Sequence, residues 1–112
     1  MSRVAPVPPR DHVAAELAAW AADVRTTRTA IVDLVAGGAR LASLPSCVEP
    51  LGTPLASGPE VLAITRIGTL AVARPGAGKV ATRRQLAALG IDELTAYGDV
   101  TSNQLDQLDA AS

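Results

Sequence analysis

Aromatic side chains are nearly missing from this chain: Trp20 and Tyr97 stand alone, and there is no phenylalanine. The core must therefore be built from Ala, Leu, Val and Ile, which suits close helix packing. Histidine and cysteine are equally scarce. His12 is the only imidazole and has no second ligand beside it, so a metal site is not expected. Cys47 is the only thiol, so no disulfide closes within the chain, which points to the cytoplasm. It lies in a proline-rich stretch with no base nearby and reads as a structural thiol. One His and one Cys do not furnish a nucleophile–base–acid set, so no catalytic residues are assigned and an enzyme is not expected. The acidic residues lack calcium-loop spacing. No run of about 18 apolar residues occurs, so no membrane span is expected. Arg3, Pro6, Pro8, Pro9 and Arg10 break any signal-peptide pattern.

What is present is enough for one small domain: 112 residues, 48% hydrophobic. Lys79 is the only lysine against nine arginines, and with abundant alanine this hints at a high-GC genome. The net charge of −1 conceals a segregation. Residues 61–90 carry Arg66, Arg74, Lys79, Arg83 and Arg84 with no acid; residues 91–112 carry Asp92, Glu93, Asp99, Asp106 and Asp109 with no base. Such asymmetry points to a local anion-binding surface. Its simpler alternative is two solvated faces that attract each other weakly.

Four segments follow from punctuation and periodicity. Residues 1–10 read as a flexible arm. Residues 11–37 read as a long helix, capped by Asp11 and stopped by Gly37-Gly38. Within it Val13, Leu17, Trp20, Val24, Thr27, Ile31 and Leu34 form one stripe, which makes Trp20 a core residue rather than a base-stacking one. Arg25 and Arg28 lie three apart on another face. Residues 38–59, with Pro45, Pro50, Pro54 and Pro59, read as a loop with one helical turn at 41–44. Residues 60–112 read as the C-terminal unit. There, 60–74 favours a strand by propensity but also admits a short helix from Thr69 to Arg74. Residues 79–89 read as a helix with Val80, Leu86, Ala87 and Leu89 inward and Lys79, Arg83 and Arg84 outward. Thr101 to Gln104 is a capping box that opens a last helix with Leu105 and Leu108 on its buried edge.

The segment Arg74-Pro75-Gly76-Ala77-Gly78-Lys79 joins these elements to a chemistry. A glycine-rich turn that opens a helix presents backbone N–H groups and a positive helix end to an anion. Gly76 to Ala81 also fits the dinucleotide-binding pattern, but only 31 residues follow, too few for a doubly wound sheet. A phosphate-binding Walker loop is excluded by Ala73 and Val80 where Gly and Ser or Thr are needed. A nucleic-acid phosphate is the natural anion that remains.

The long helix, the loop, Pro75–Lys79, the helix closing on Leu89-Gly90-Ile91, and Ser102-Asn103-Gln104-Leu105 occur in an order that resembles the actinobacterial integration host factor family. The resemblance covers roughly residues 11–109 and is specific over 74–91 and 102–108. It implies an all-α fold: a long N-terminal helix plus a compact helix–two-turn–helix domain. It further implies a nucleoid-associated protein that binds double-stranded DNA with little sequence preference, bends it, and serves nucleoid organisation and phage integration or recombination. By the same resemblance Gly76, Ala77 and Gly78 form the turn whose amides face a phosphate. Lys79, Arg83 and Arg66 match basic positions, and Ser102, Asn103 and Gln104 match the opening of the last helix. Arg74, Arg84, Arg25 and Arg28 complete the expected DNA-binding set. No cofactor and no small-molecule substrate is implied.

Three features depart from the family. The chain is not basic overall, its linker Leu94-Thr95-Ala96-Tyr97-Gly98-Asp99 carries one acid where the family has arginines, and its proline-rich loop is longer and less helical than the family's. They suggest a divergent member and motivate an alternative: a protein-interaction module on the same fold, acting on a nucleoid protein, recombinase or repressor.

Overall fold

The computed structural model describes residues 10–111, with side chains from residue 14 onward. The arm expected over 1–10 lies outside them except for Arg10, as does the side chain of Val13. Six α-helices are present among the described residues, and no strand: α1 Arg10–Ala36, α2 Leu44–Cys47, α3 Gly58–Ile64, α4 Ile67–Val72, α5 Lys79–Ala88 and α6 Ser102–Ala110. Short 3-10 turns lie at Leu41–Ser43 and Tyr97–Asp99.

The glycine stop of α1 is a full Schellman motif. Gly38 takes φ 104°, its N–H donates to Val35 O, and the Ala39 N–H donates back to Leu34 O. The capping box of α6 forms as the sequence suggests: Thr101 Oγ1 accepts from Gln104 N at 3.1 Å while Gln104 Oε1 accepts from Thr101 N at 3.0 Å. The segment 60–74 is helical rather than extended. Ser57 caps α3 and Pro59 sits in its first turn. Burial of Val61, Leu62, Ile67 and Leu70 then overrides the β-propensity of this stretch.

The core is aliphatic. Val24, Ile31 and Val35 of α1 meet Leu41, Leu44, Val61, Leu62, Ile67, Leu70, Leu86, Leu105 and Leu108. Tyr97 is its aromatic member, and its hydroxyl donates to Leu41 O at 2.5 Å. Asp109 fastens α6 to the other side of this turn: its two carboxylate oxygens accept from Leu41 N and Ala42 N at 2.8 and 3.0 Å.

Two sequence expectations fail here. In α1 the inward stripe holds only from Val24 onward; Leu17 is 60% and Trp20 46% exposed. A helix of 27 residues is about 40 Å long, and the rest of the fold covers only its C-terminal half. The protein is correspondingly elongated, 60 × 26 × 22 Å. In α5 Val80 and Ala87 face solvent, and Thr82 and Leu86 are the buried pair. The helix is rotated from the expected phase because the spacing Thr82, Leu86, Leu89 defines its inner edge.

Candidate nucleic-acid interface

The turn between α4 and α5 owes its shape to two glycines in the left-handed region, Gly76 at φ 74° and Gly78 at φ 70°. A Cβ at either would meet nothing within 4 Å, so backbone conformation, not crowding, calls for glycine here. Open space beside the backbone leaves room for a ligand. Gly78 is the N-cap of α5 and has no side-chain partner for the helix's first N–H groups.

Lys79 starts α5 at the edge of a groove of about 210 Å³. Arg66, the N-cap of α4, and Arg83, one turn along α5, line the same groove with Thr69, Thr82 and Glu93. Arg66 and Thr69 also border an adjoining depression shared with Arg28 of α1. Four cations from three helices therefore converge on one side of the molecule. Arg25 is exposed three residues before Arg28, on the neighbouring part of α1. Arg84 is exposed next to Arg83, turned about 100° around α5.

The far wall of the groove comes from the linker between α5 and α6. It runs antiparallel to the α3–α4 junction: Ile67 N donates to Thr95 O, Gly68 N to Glu93 O and Tyr97 N to Thr65 O, at 2.8, 2.9 and 2.8 Å. The approach is so close that a Cβ on Gly68 would lie 2.8 Å from Glu93 O and 2.9 Å from Glu93 Cβ. Gly68 thus sets Glu93 at the groove, where its carboxylate accepts from Arg83 Nε at 3.2 Å. Both side chains are partly exposed, so this pair contributes only a few tenths of a kcal/mol to folding.

Other residues of the expected set lie away from this groove. Arg74 is buried, 5% exposed. Its Nε donates to Ala71 O, one terminal nitrogen to Leu108 O and the other to Gln85 Oε1, at 2.7, 2.7 and 2.5 Å. Desolvation lowers its pKa, opposed by the nearby Asp109 carboxylate. Its guanidinium holds α4, α5 and α6 together beneath the glycine turn instead of reaching solvent. Ser102 and Asn103 are exposed at the start of α6, and Gln104 is spent on the capping box and on Leu89 O at 3.4 Å. That end of α6 adjoins the last turn of α5, about 15 Å along the helix from Lys79.

The acidic C-terminal segment does not fold over the cations as a block. Asp92 accepts from Leu94 N within its own turn, and Asp109 serves the Leu41 turn. Glu93 alone among them forms an ion pair with a groove residue among the described contacts. Sequence reasoning did not single out Thr82 or Glu93. The first carried a signal, its spacing to Leu86; the second had none beyond lying near Gly68 in space.

No known sequence family and no curated protein matches the chain. A solved structure does: sIHF bound to an 8-bp palindromic DNA, at a TM-score of 0.63 and 24% identity, over 81% of this chain and 94% of that one. At this identity the likeness is one of fold, and the integration-host-factor-like, all-helical architecture is shared.

Proposed function

We propose that the chain is a small nucleoid-associated-type protein that binds duplex DNA through its phosphates. The carrying observation is the convergence of Arg66, Lys79 and Arg83 around one groove and of Arg28 on the depression that adjoins it, at the start of α5, where the N-cap Gly78 brings no side-chain cap. Phosphate contacts position a protein on DNA without reading sequence, and the groove offers little for reading base edges. Low sequence specificity follows, with any preference arising from DNA shape. The DNA-bound state of sIHF, a protein of the same fold, supports this reading. Bending of the duplex, and a place in phage integration or recombination, extend it by the family resemblance.

The test is a mobility-shift titration on random-sequence duplex at low salt with wild-type protein and Lys79→Glu. The charge reversal is expected to weaken binding more than tenfold, and equally for unrelated sequences. Wild-type affinity in the variant would remove the groove and the turn from the interface.

One observation favours a protein-interaction reading beside it. Leu17, Trp20, Leu55 and Ile64 are all about half exposed, and Trp20, Leu55 and Ile64 border a single apolar depression between α1 and α3. Co-purification of a recombinase or another nucleoid protein, lost in Trp20→Ala and without a shift of free duplex, would favour that reading.

A further inference from the structure

The groove contains a group that folding does not account for. Thr82 is 2% exposed, and its Oγ1 is buried with no hydrogen-bond partner. An unsatisfied buried hydroxyl destabilises a fold, and a valine of the same shape would not carry that penalty. Thr82 lines the groove that Arg66, Lys79 and Arg83 surround. A hydroxyl donor at the floor and three cations at the rim are complementary to one tetrahedral oxyanion. Opposite them Glu93 holds Arg83 at 3.2 Å, a carboxylate where that oxyanion would find its charge partner.

We propose that this groove is a single-phosphate subsite in which the Thr82 hydroxyl donates from the floor and the Glu93 carboxylate competes with the incoming phosphate for Arg83. This rests on the DNA reading above for the source of the phosphate, and adds an internal competitor that sets the affinity. A phosphate bound at Arg83 competes with the one bond that its Nε makes to Glu93. The net charge of −1 and DNA binding are then compatible, because the acid most directly opposed to the site gives way when the site fills.

Two variants act in opposite directions. Glu93→Gln keeps the shape of the wall and removes the competitor. Its affinity for random-sequence duplex is expected to rise about two- to fivefold at low salt, and the slope of log K against log salt to steepen by up to about 0.9. Thr82→Val is expected to bind about tenfold more weakly while its thermal stability is equal to or above that of wild type. A structural hydroxyl would give the reverse, a lower melting temperature with unchanged affinity. Inorganic phosphate, followed by NMR at the Thr82 and Lys79 amides, probes the subsite without DNA. Shifts in wild type that are absent in Thr82→Val support the subsite, whether or not duplex binds. Duplex binding that is unchanged in both variants overturns the subsite and leaves the DNA reading standing. Phosphate shifts without duplex binding overturn the DNA reading alone.

Discussion

Arg74 and Lys79 flank the same turn and carry the same charge, yet they do opposite work. Lys79 is exposed at the groove; Arg74 donates to Ala71 O, Leu108 O and Gln85 beneath it. Truncating Arg74 strands buried acceptors and removes one of the two cations near Asp109, leaving Arg40 at 3.8 Å. Arg74→Ala is therefore expected to lower stability by about 3 kcal/mol in denaturant unfolding, without changing the affinity of the protein that remains folded. Tyr97 offers a second residue-level test. Burial first, and the Asp109 charge second, push its pKa up from 10.0 to about 12. The unfolded phenol loses its proton first, so the folded state binds more protons in this range and stability falls as pH rises from 10 to about 12. Tyr97→Phe is expected to abolish that alkaline loss, read as melting temperature against pH. Charge was legible in the sequence at these positions, but burial was not: nothing local separates an arginine that ties three helices from a lysine that faces solvent.

Element boundaries were legible where they rest on local chemistry. The Gly37-Gly38 stop and the Thr101–Gln104 box act through backbone groups within a few residues, and both formed as expected. The stretch 60–74 was not legible, because its helices α3 and α4 are set by burial of Val61, Ile67 and Leu70 against distant residues. The junction between them also fixes the groove. Gly68 admits the linker so closely that any side chain there would meet Glu93. Gly68→Ala is expected to destabilise the fold by about 2 kcal/mol and to displace Glu93 from Arg83. Chemical unfolding and the amide shifts of residues 92–96 would check both effects. Unchanged stability would mean that the linker is free to move away.

On the scale of the whole molecule, the long helix and the compact unit share one core, but α1 extends beyond it. Periodicity gave the correct face from Val24 to Leu34 and had no means of telling where the domain stops, so Leu17 and Trp20 were expected inside and stand outside. Three-dimensional charge was likewise only half visible. The acid-free run supplied Arg66, Lys79 and Arg83, whereas Arg28 joins them only through the packing of α1 on α3 and α4. In the DNA-binding reading these four cations neutralise backbone phosphates. Equilibrium binding of wild-type protein to a random-sequence duplex across a salt series measures it directly. One phosphate shared by the three groove cations and a second at Arg28 predict a slope of log K against log salt of about −1.8, and a separate phosphate for each cation about −3.6. A slope near zero, or no binding at about tens of micromolar protein in low salt, would contradict the account.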